Sequence, residues 1–255
     1  MIPRCALVTG ASSGIGRALA ARLARDGTRV VVVARRRAEL ETLVEAVARE
    51  GGHAIVEVLD VGDTTRTATR VRALDVELGG FDLVVANAGV GANEDAGGAS
   101  YAWETIAAAC HVNFCGAAAT LTAALPAMVA RGRGHLVGVS SLAAFGALPR
   151  SAAYCAPKAG LSMLLDCLRI DLEGTGVRVT TVHAGFVRTR MVDEAAHPTP
   201  LAMDVDEAVE IIARALPRAP AHLDFPMPLA LAARAAGALP RPLRDRMARS
   251  LRRVR

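Results

Sequence analysis

The chain has two tyrosines, Tyr101 and Tyr154, and the second stands four residues before Lys158. On a helix, an i, i+4 spacing puts both side chains on one face. A phenol titrates near ~10 when unperturbed, and a neighbouring ammonium favours the phenolate and lowers that value. Such a tyrosine can pass a proton to a carbonyl oxygen as hydride reaches the carbon, or take it back in the oxidative direction. The competing reading is a surface tyrosine with an ordinary i+4 lysine. Pro157 lies between the two residues and lacks an N–H. That is tolerated in the first helical turn, so the helix is expected to start just before Tyr154. Cys155 reads as a packing residue.

Upstream lie further polar candidates. Ser140 and Ser141 end an apolar run thirteen to fourteen residues before Tyr154. As neighbours on a strand they point to opposite faces, so only one can face a site. Asn113 interrupts the apolar helical stretch Val112-Asn113-Phe114. A buried amide there needs partners. Near the N-terminus, Thr9-Gly10-Ala11-Ser12-Ser13-Gly14-Ile15-Gly16 follows a short β-branched run and opens a helical pattern. Glycines permit a tight turn and close approach of a phosphate, and the helix start offers free N–H groups and a favourable dipole.

As a set these motifs resemble the short-chain dehydrogenase/reductase family, in its short, non-extended branch. The fingerprint Thr-Gly-x-x-x-Gly-x-Gly is present at 9–16. Asp60-Val61 matches the family's adenine-holding pair, and Asn87-Ala88-Gly89 its Asn-Ala-Gly element. Asn113, Ser141, Tyr154 and Lys158 match the four catalytic positions in order and spacing. Gly185, Val187 and Thr189 follow the sixth strand, where the family reads Pro-Gly-x-Val-x-Thr, with Ala184 in place of the proline. That substitution is expected to make the loop less rigid. The resemblance covers about residues 4–215. It implies that Ser141, rather than Ser140, hydrogen-bonds the substrate oxygen. It also implies that Asn113 bends its helix and holds a water joining Lys158 to a proton relay, and that Gly185, Val187 and Thr189 cradle the nicotinamide.

The second strand ends Val33-Ala34-Arg35-Arg36-Arg37, with no acid before Glu39. An NAD site wants a carboxylate here for the ribose 2′-hydroxyl. By resemblance, Ala34 stands where NAD-dependent relatives carry Asp, and Arg35 where NADP-dependent relatives meet the 2′-phosphate with Arg. A guanidinium fork suits a phosphate, and Ser12 and Ser13 could add hydroxyl donors. Arg36 and Arg37 could equally form a solvated helix start. Yet three cations at a helix N-terminus are unfavourable unless an anion neutralises part of the charge. The expected cofactor is NADP(H) rather than NAD(H), bound by Gly10, Ser12, Ser13, Gly14, Ile15, Gly16, Arg35, Arg36, Asp60, Val61, Asn87, Ala88, Gly89, Tyr154, Lys158, Gly185, Val187 and Thr189.

The elements that must position these residues alternate along the chain. Strands are expected at 4–9, 29–34, 53–59, 81–86, 134–140, 177–183 and, more weakly, 221–225. Helices are expected near 14–26, 36–50, 63–78, 101–131 (one long helix or two), 152–173 and 204–215. Near-continuous apolar strands imply burial on both faces. The expectation is therefore an α/β fold: a doubly wound, mostly parallel, seven-stranded Rossmann-type sheet with helices on both faces. Residues 1–225 are read as the NADP-binding and catalytic domain, and 226–255 as its apolar and basic helical extension.

The substrate side is expected at three segments beyond the strand ends, 90–94, 142–148 and 186–203. The last, with Pro198 and Pro200, reads as a mobile lid. Apolar residues there favour a lipophilic carbonyl or secondary alcohol. The alternatives are a 3-oxoacyl-thioester reductase and, from another class, a non-catalytic NADP-sensing protein that would have lost the catalytic residues. Among related folds, helices near 101–131 and 152–173 pair subunits, so a homodimer or homotetramer is expected by resemblance.

The bulk numbers exclude other classes. The formal charge is +5, but seven arginines and one aspartate in 241–255 carry +6, leaving residues 1–240 near −1. A neutral body argues against nucleic acid. The tail, with Leu243, Met247, Leu251 and Val254 at spacings of three or four, could lie on an anionic membrane. It could equally pack on its own domain or on a sister subunit. Five cysteines without CxxC spacing read as reduced and cytoplasmic, and no metal site is expected. No signal peptide and no apolar stretch long enough for a bilayer are read from the sequence.

Overall fold

The computed structural model describes residues 2–91, 102–193, 199 and 201–251. Seven strands form one sheet: β1 (Cys5–Thr9), β2 (Arg29–Ala34), β3 (His53–Val58), β4 (Leu83–Ala86), β5 (Gly134–Ser141), β6 (Val177–Ala184) and β7 (His222–Phe225). Their order is β3-β2-β1-β4-β5-β6-β7. Every pairing is parallel. The sheet is thus wholly parallel, a stricter form of the expectation.

The helices are α1 (Gly14–Arg25), α2 (Arg37–Arg49), α3 (Thr64–Glu77), α4 (Trp103–Cys110), α5 (Ala117–Ala130), α6 (Ala152–Asp171), α7 (Arg190–Asp193), α8 (Val205–Ala215), α9 (Met227–Ala238) and α10 (Arg241–Leu251). Alternation along each strand sends side chains to both faces. Val30 and Val32 join one core with Leu19 and Leu23 of α1, Leu40 and Leu43 of α2 and Ile212 of α8. Val31 and Val33 join the other, with Leu74 of α3, Leu121 and Ala124 of α5 and Leu161 and Leu165 of α6. Small residues let helices sit close to the sheet. A Cβ on Gly138 would lie 2.4 Å from a Leu165 methyl carbon, so glycine there admits α6 to β5.

The second core is fastened by a polar anchor. The buried carboxylate of Asp75 accepts from the Phe81 N–H at 2.7 Å and from two Arg131 nitrogens at 2.7 and 3.0 Å. This ties the end of α3, the start of β4 and the end of α5 together.

Three expectations change. The 101–131 segment is neither one regular helix nor two: α4 and α5 run on through a π-helical segment, His111–Gly116. The run Trp103–Ala130 is, by length and composition, apolar enough to cross a bilayer, with mean hydropathy 1.5. The sequence reading missed it because Glu104, Thr105, His111 and Asn113 break the apolar run. Here Thr120, Leu121, Ala124 and Met128 are buried in the protein core. Finally, α6 begins at Ala152, which puts Pro157 in the second turn rather than the first. Proline there removes the donor that would meet the Ala153 carbonyl.

Candidate active site

Strands turn outward in opposite directions at the β1/β4 boundary, and the carboxyl ends on either side open a crevice. Thr9, at the end of β1, organises it. Its hydroxyl oxygen accepts from the N–H groups of Asn87 and Ala88, both at 3.0 Å, and its carbonyl accepts from the Asn87 side chain at 2.9 Å. The opening threonine of the fingerprint was the signal that could have revealed this role.

The glycine loop then passes against the Asn87 turn without room for side chains. A Cβ on Gly10 would lie 2.8 Å from the Asn87 amide nitrogen and the Ala88 Cα, and its φ of +70° itself favours glycine. A Cβ on Gly16 would come within 2.3 Å of the same amide nitrogen and 2.5 Å of the Gly10 carbonyl oxygen. Gly14 meets Thr189, whose methyl a Cβ would approach to 2.9 Å, so the loop after β6 closes over the glycine loop. Ser13 caps α1 without a side-chain hydrogen bond, and no acid occupies the first turn. The N–H groups at this helix start therefore carry the positive end of the dipole with no acid in the first turn. That set of donors fits a nucleotide phosphate.

The three arginines separate. Arg36 reaches back to the loop: one of its nitrogens donates to Ser12 Oγ at 2.9 Å and to Ser13 Oγ at 3.1 Å. Arg35 turns the other way, toward Asp60 at 3.7 Å. Arg37 pairs with Glu41 along α2. The sequence reading put Arg35 foremost; the geometry puts Arg36 beside the loop hydroxyls. Asp60 Oδ1 also accepts from the Gly62 N–H at 2.9 Å, and Val61 is buried next to it.

Ser141, Tyr154 and Lys158, the residues expected to handle the proton, lie at the end of β5 and the start of α6. Ser141 lies on the Tyr154 side, where its hydroxyl favours the phenolate, and it accepts from the Ala143 N–H at 3.1 Å. Ser140 points inward: its hydroxyl donates to the Lys158 carbonyl at 2.9 Å. Of the two serines, Ser141 is the one on the tyrosine's side. Lys158 Nζ lies 5.8 Å from the Tyr154 ring centroid and donates to the Val139 carbonyl at 2.8 Å. Asn113 sits in the π segment, as a locally bent helix implies. Both ends of its amide are spent on Val90, at 2.8 and 2.9 Å. A Cβ on Gly89 would lie 3.1 Å from Asn113 Oδ1 and 3.6 Å from Lys158 Nζ, so the β4 loop closes on both.

The electrostatics depart from the sequence expectation. Burial lowers the Lys158 ammonium to about 8. Burial raises the Tyr154 phenol, against the lowering influence of its bond from Ser141. The lysine was expected to pull the tyrosine down. In the folded chain its charge is itself disfavoured, and the phenol is raised chiefly by burial.

On the nicotinamide side, Ala184 extends the ladder. It pairs with Ser141 on one side and Phe225 on the other, and the Gly185 N–H donates to the Phe225 carbonyl at 2.7 Å. The strand thus stays paired through the position where the family has proline. Val187 is buried and bridges Met203, which ties the two ends of the 186–203 segment. Met191 packs on Gly91, placing that segment across from the β4 loop. Ala92, Asn93 and Glu94, Pro198 and Pro200, and Val254 of the tail lie outside the described residues. Among the described residues, no cluster of three or more His, Cys, Asp or Glu could hold a metal.

Residues 4–199 match the family described as short chain dehydrogenase. The chain is 49% identical over 249 residues to an uncharacterized oxidoreductase of Myxococcus xanthus, covering 98% of both chains. It resembles the solved structure of a short-chain dehydrogenase from Sphingobium yanoikuyae in complex with NADPH, with a TM-score of 0.80, 26% identity and coverage of 98% of this chain and 96% of that one. An actinorhodin polyketide ketoreductase with NADPH is similar at a TM-score of 0.80, 28% identity and coverage of 89% and 97%.

Proposed function

The chain belongs to the short-chain dehydrogenase family and is an NAD(P)-dependent oxidoreductase, and we propose that it is an NADP(H)-dependent carbonyl reductase or secondary-alcohol dehydrogenase acting on a lipophilic substrate. The observation that carries this reading is the side-by-side placement of Ser141 and Tyr154 over Lys158 at the mouth of the glycine-loop crevice. When bound, the dinucleotide supplies the hydride.

The chain's own residues do the rest. The Gly10–Gly16 loop and the α1 start receive the pyrophosphate, and Asp60 and Val61 receive the adenine. Arg36, with Ser12 and Ser13, takes the 2′-phosphate, while Arg35 faces Asp60. Asn87, Ala88 and Gly89, together with Gly185, Val187 and Thr189, hold the nicotinamide half. Ser141 donates to the substrate carbonyl and fixes its angle. Tyr154, protonated at neutral pH, gives its proton to the same oxygen. Lys158 holds the nicotinamide ribose and stabilises the phenolate left behind. Asn113 pins Val90 and keeps the β4 loop against Lys158.

The reading of a lipophilic substrate rests on the apolar segment after β5 and on Met191 after β6, where Leu148 and Met191 are exposed. Similarity to a polyketide ketoreductase favours a 3-oxoacyl-thioester reductase as the second reading. The four catalytic positions, all occupied, weigh against a non-catalytic NADP sensor. Exposed Trp103 on α4 and Met163 and Ile170 on α6 support assembly of copies through these helices. Five free cysteines support a cytoplasmic setting, and 226–255 reads as an extension of the catalytic domain. The basic α10, with Leu243 and Met247 exposed, is where a peripheral membrane contact would form.

The test is NADPH oxidation with a panel of ketones and 3-oxoacyl thioesters. Tyr154→Phe is expected to abolish turnover while NADPH binding stays within a few-fold. Robust turnover in that variant would end the proposal.

A further inference from the structure

A chain of polar groups runs from the C-terminal helix to the residues flanking Ser141. Arg234 of α9 places two nitrogens 2.6 Å from Asp224 Oδ2, at the end of β7. Asp224 Oδ1 lies 2.7 Å from His183 Nδ1, on β6. The other ring nitrogen of His183 is 3.1 Å from Ser162 Oγ on α6. Ser162 and Ser140 lie 2.8 Å apart, and both reach the Lys158 carbonyl, at 3.0 and 2.9 Å. A second branch ends on the turn after Ser141. The Phe145 ring is held between the Arg234 guanidinium and the His183 ring, each 4.5 Å from it. The backbone of α9 presses on the same turn: a Cβ on Gly237 would lie 2.3 Å from the Phe145 carbonyl oxygen.

We propose that Arg234 is a positioning residue, which clamps the 142–145 turn from α9 and so fixes Ser141 and Lys158 for carbonyl reduction. This rests on the reading of the site as a carbonyl reductase. The two branches end immediately on either side of Ser141, on Ser140 and on the 142–145 turn, and on the helix that carries Tyr154 and Lys158. His183 is buried and neutral, so its Nδ1–H donates to the Asp224 carboxylate and its Nε2 accepts from Ser162. Ser162 then has no proton left for the Lys158 carbonyl, and the Ser140 proton is shared between that carbonyl and Ser162 Oγ. The Asp224 carboxylate is largely buried and needs two donors, and Arg234 is one of them. Removing Arg234 unpairs Asp224 Oδ2 and takes away the upper face of the Phe145 slot together. A ring that can then tilt moves the backbone that begins at Ser141.

The experiment compares the wild type with Arg234→Ala and Arg234→Lys in full-length protein. Three measurements are made: NADPH affinity, kcat and KM with the best ketone, and amide hydrogen exchange of 142–148 without substrate. For Arg234→Ala, exchange in 142–148 is expected to speed up about tenfold or more and kcat to fall about tenfold. NADPH affinity is expected to stay within about two-fold, and Arg234→Lys to recover part of kcat. Exchange and kcat both within about two-fold of wild type would overturn the clamp. If Arg234→Ala does not fold, Asp224→Asn and Arg234→Lys carry the same comparison. A wild type that reduces no carbonyl would end the functional reading, whereas unchanged exchange in an active enzyme would end the clamp alone.

Discussion

The two arginines after β2 make different predictions for cofactor choice. Arg36 donates to both loop serines, at 2.9 and 3.1 Å, so its guanidinium already lies over the loop that receives the nucleotide. Arg35 points to Asp60 and its side chain is 64% exposed. A charge-assisted hydrogen bond contributes about 1.5–3 kcal/mol, and the half-exposed Arg36 belongs at the lower end. Arg36→Ala should therefore weaken NADPH about tenfold or somewhat more. An exposed ion pair contributes about 0–1 kcal/mol, so Arg35→Ala should cost no more than about five-fold. NADH lacks the 2′-phosphate, and its affinity should change less than about two-fold in either variant. Arg36→Ala also breaks an exposed ion pair with Glu39, worth about 0–1 kcal/mol, so thermal unfolding of each variant is measured beside binding. Titrating both nucleotides against both variants by fluorescence gives four ratios. Equal losses for NADPH and NADH in Arg36→Ala, or a larger loss in Arg35→Ala, would refute the assignment.

Burial lowers Lys158 to about 8, so its charged form dominates below that pH. For carbonyl reduction kcat/KM should be level at lower pH and fall about tenfold per unit above the break, with no such break in Lys158→Met. A wild-type profile flat through that range would contradict the role given to the ammonium. Away from the site, Asp75→Ala would strand the Phe81 N–H and the partly buried Arg131 cation. The expected loss is about 3 kcal/mol in denaturant unfolding, and a loss below about 1 kcal/mol would show the anchor to be dispensable.

How far the sequence could be read depended on whether a feature was local. Apolar runs such as Val30–Ala34 specify a doubly buried strand by themselves, and the parallel sheet followed. The glycine loop, Asn113, Ser141, Tyr154 and Lys158 were legible through the family resemblance that their order and spacing carry, and the helical period added only that Tyr154 and Lys158 can share a face. Ser140 and Ser141 separated on the strand period, and the structure turns Ser140 inward as alternation requires. Pairings across the sheet were not legible. His183, Asp224 and Arg234 lie on three elements, and nothing in the spacing of a lone histidine marks its partners. The choice between Arg35 and Arg36 was equally hidden, because consecutive residues at a strand-to-helix turn diverge by an angle that only the backbone sets. Pro157 was informative about the helix start: α6 begins at Ala152, just before Tyr154, with the proline in the second turn, near the first.

The reversed shift on Tyr154 bears on how the site is armed. A sequence can place a lysine one turn from a tyrosine, but it does not say how much water surrounds either. Here the same burial that depresses the ammonium raises the phenol, so the two groups move away from the ion pair that proximity alone suggests. The Ser141 bond opposes that rise without cancelling it. At neutral pH the folded chain therefore presents a protonated tyrosine, which is the state an acid must have when a carbonyl arrives. Working as a base in alcohol oxidation asks the same phenol to ionise in a desolvated place. That step needs positive charge brought close to it, and within this chain Lys158 is the group positioned to supply it.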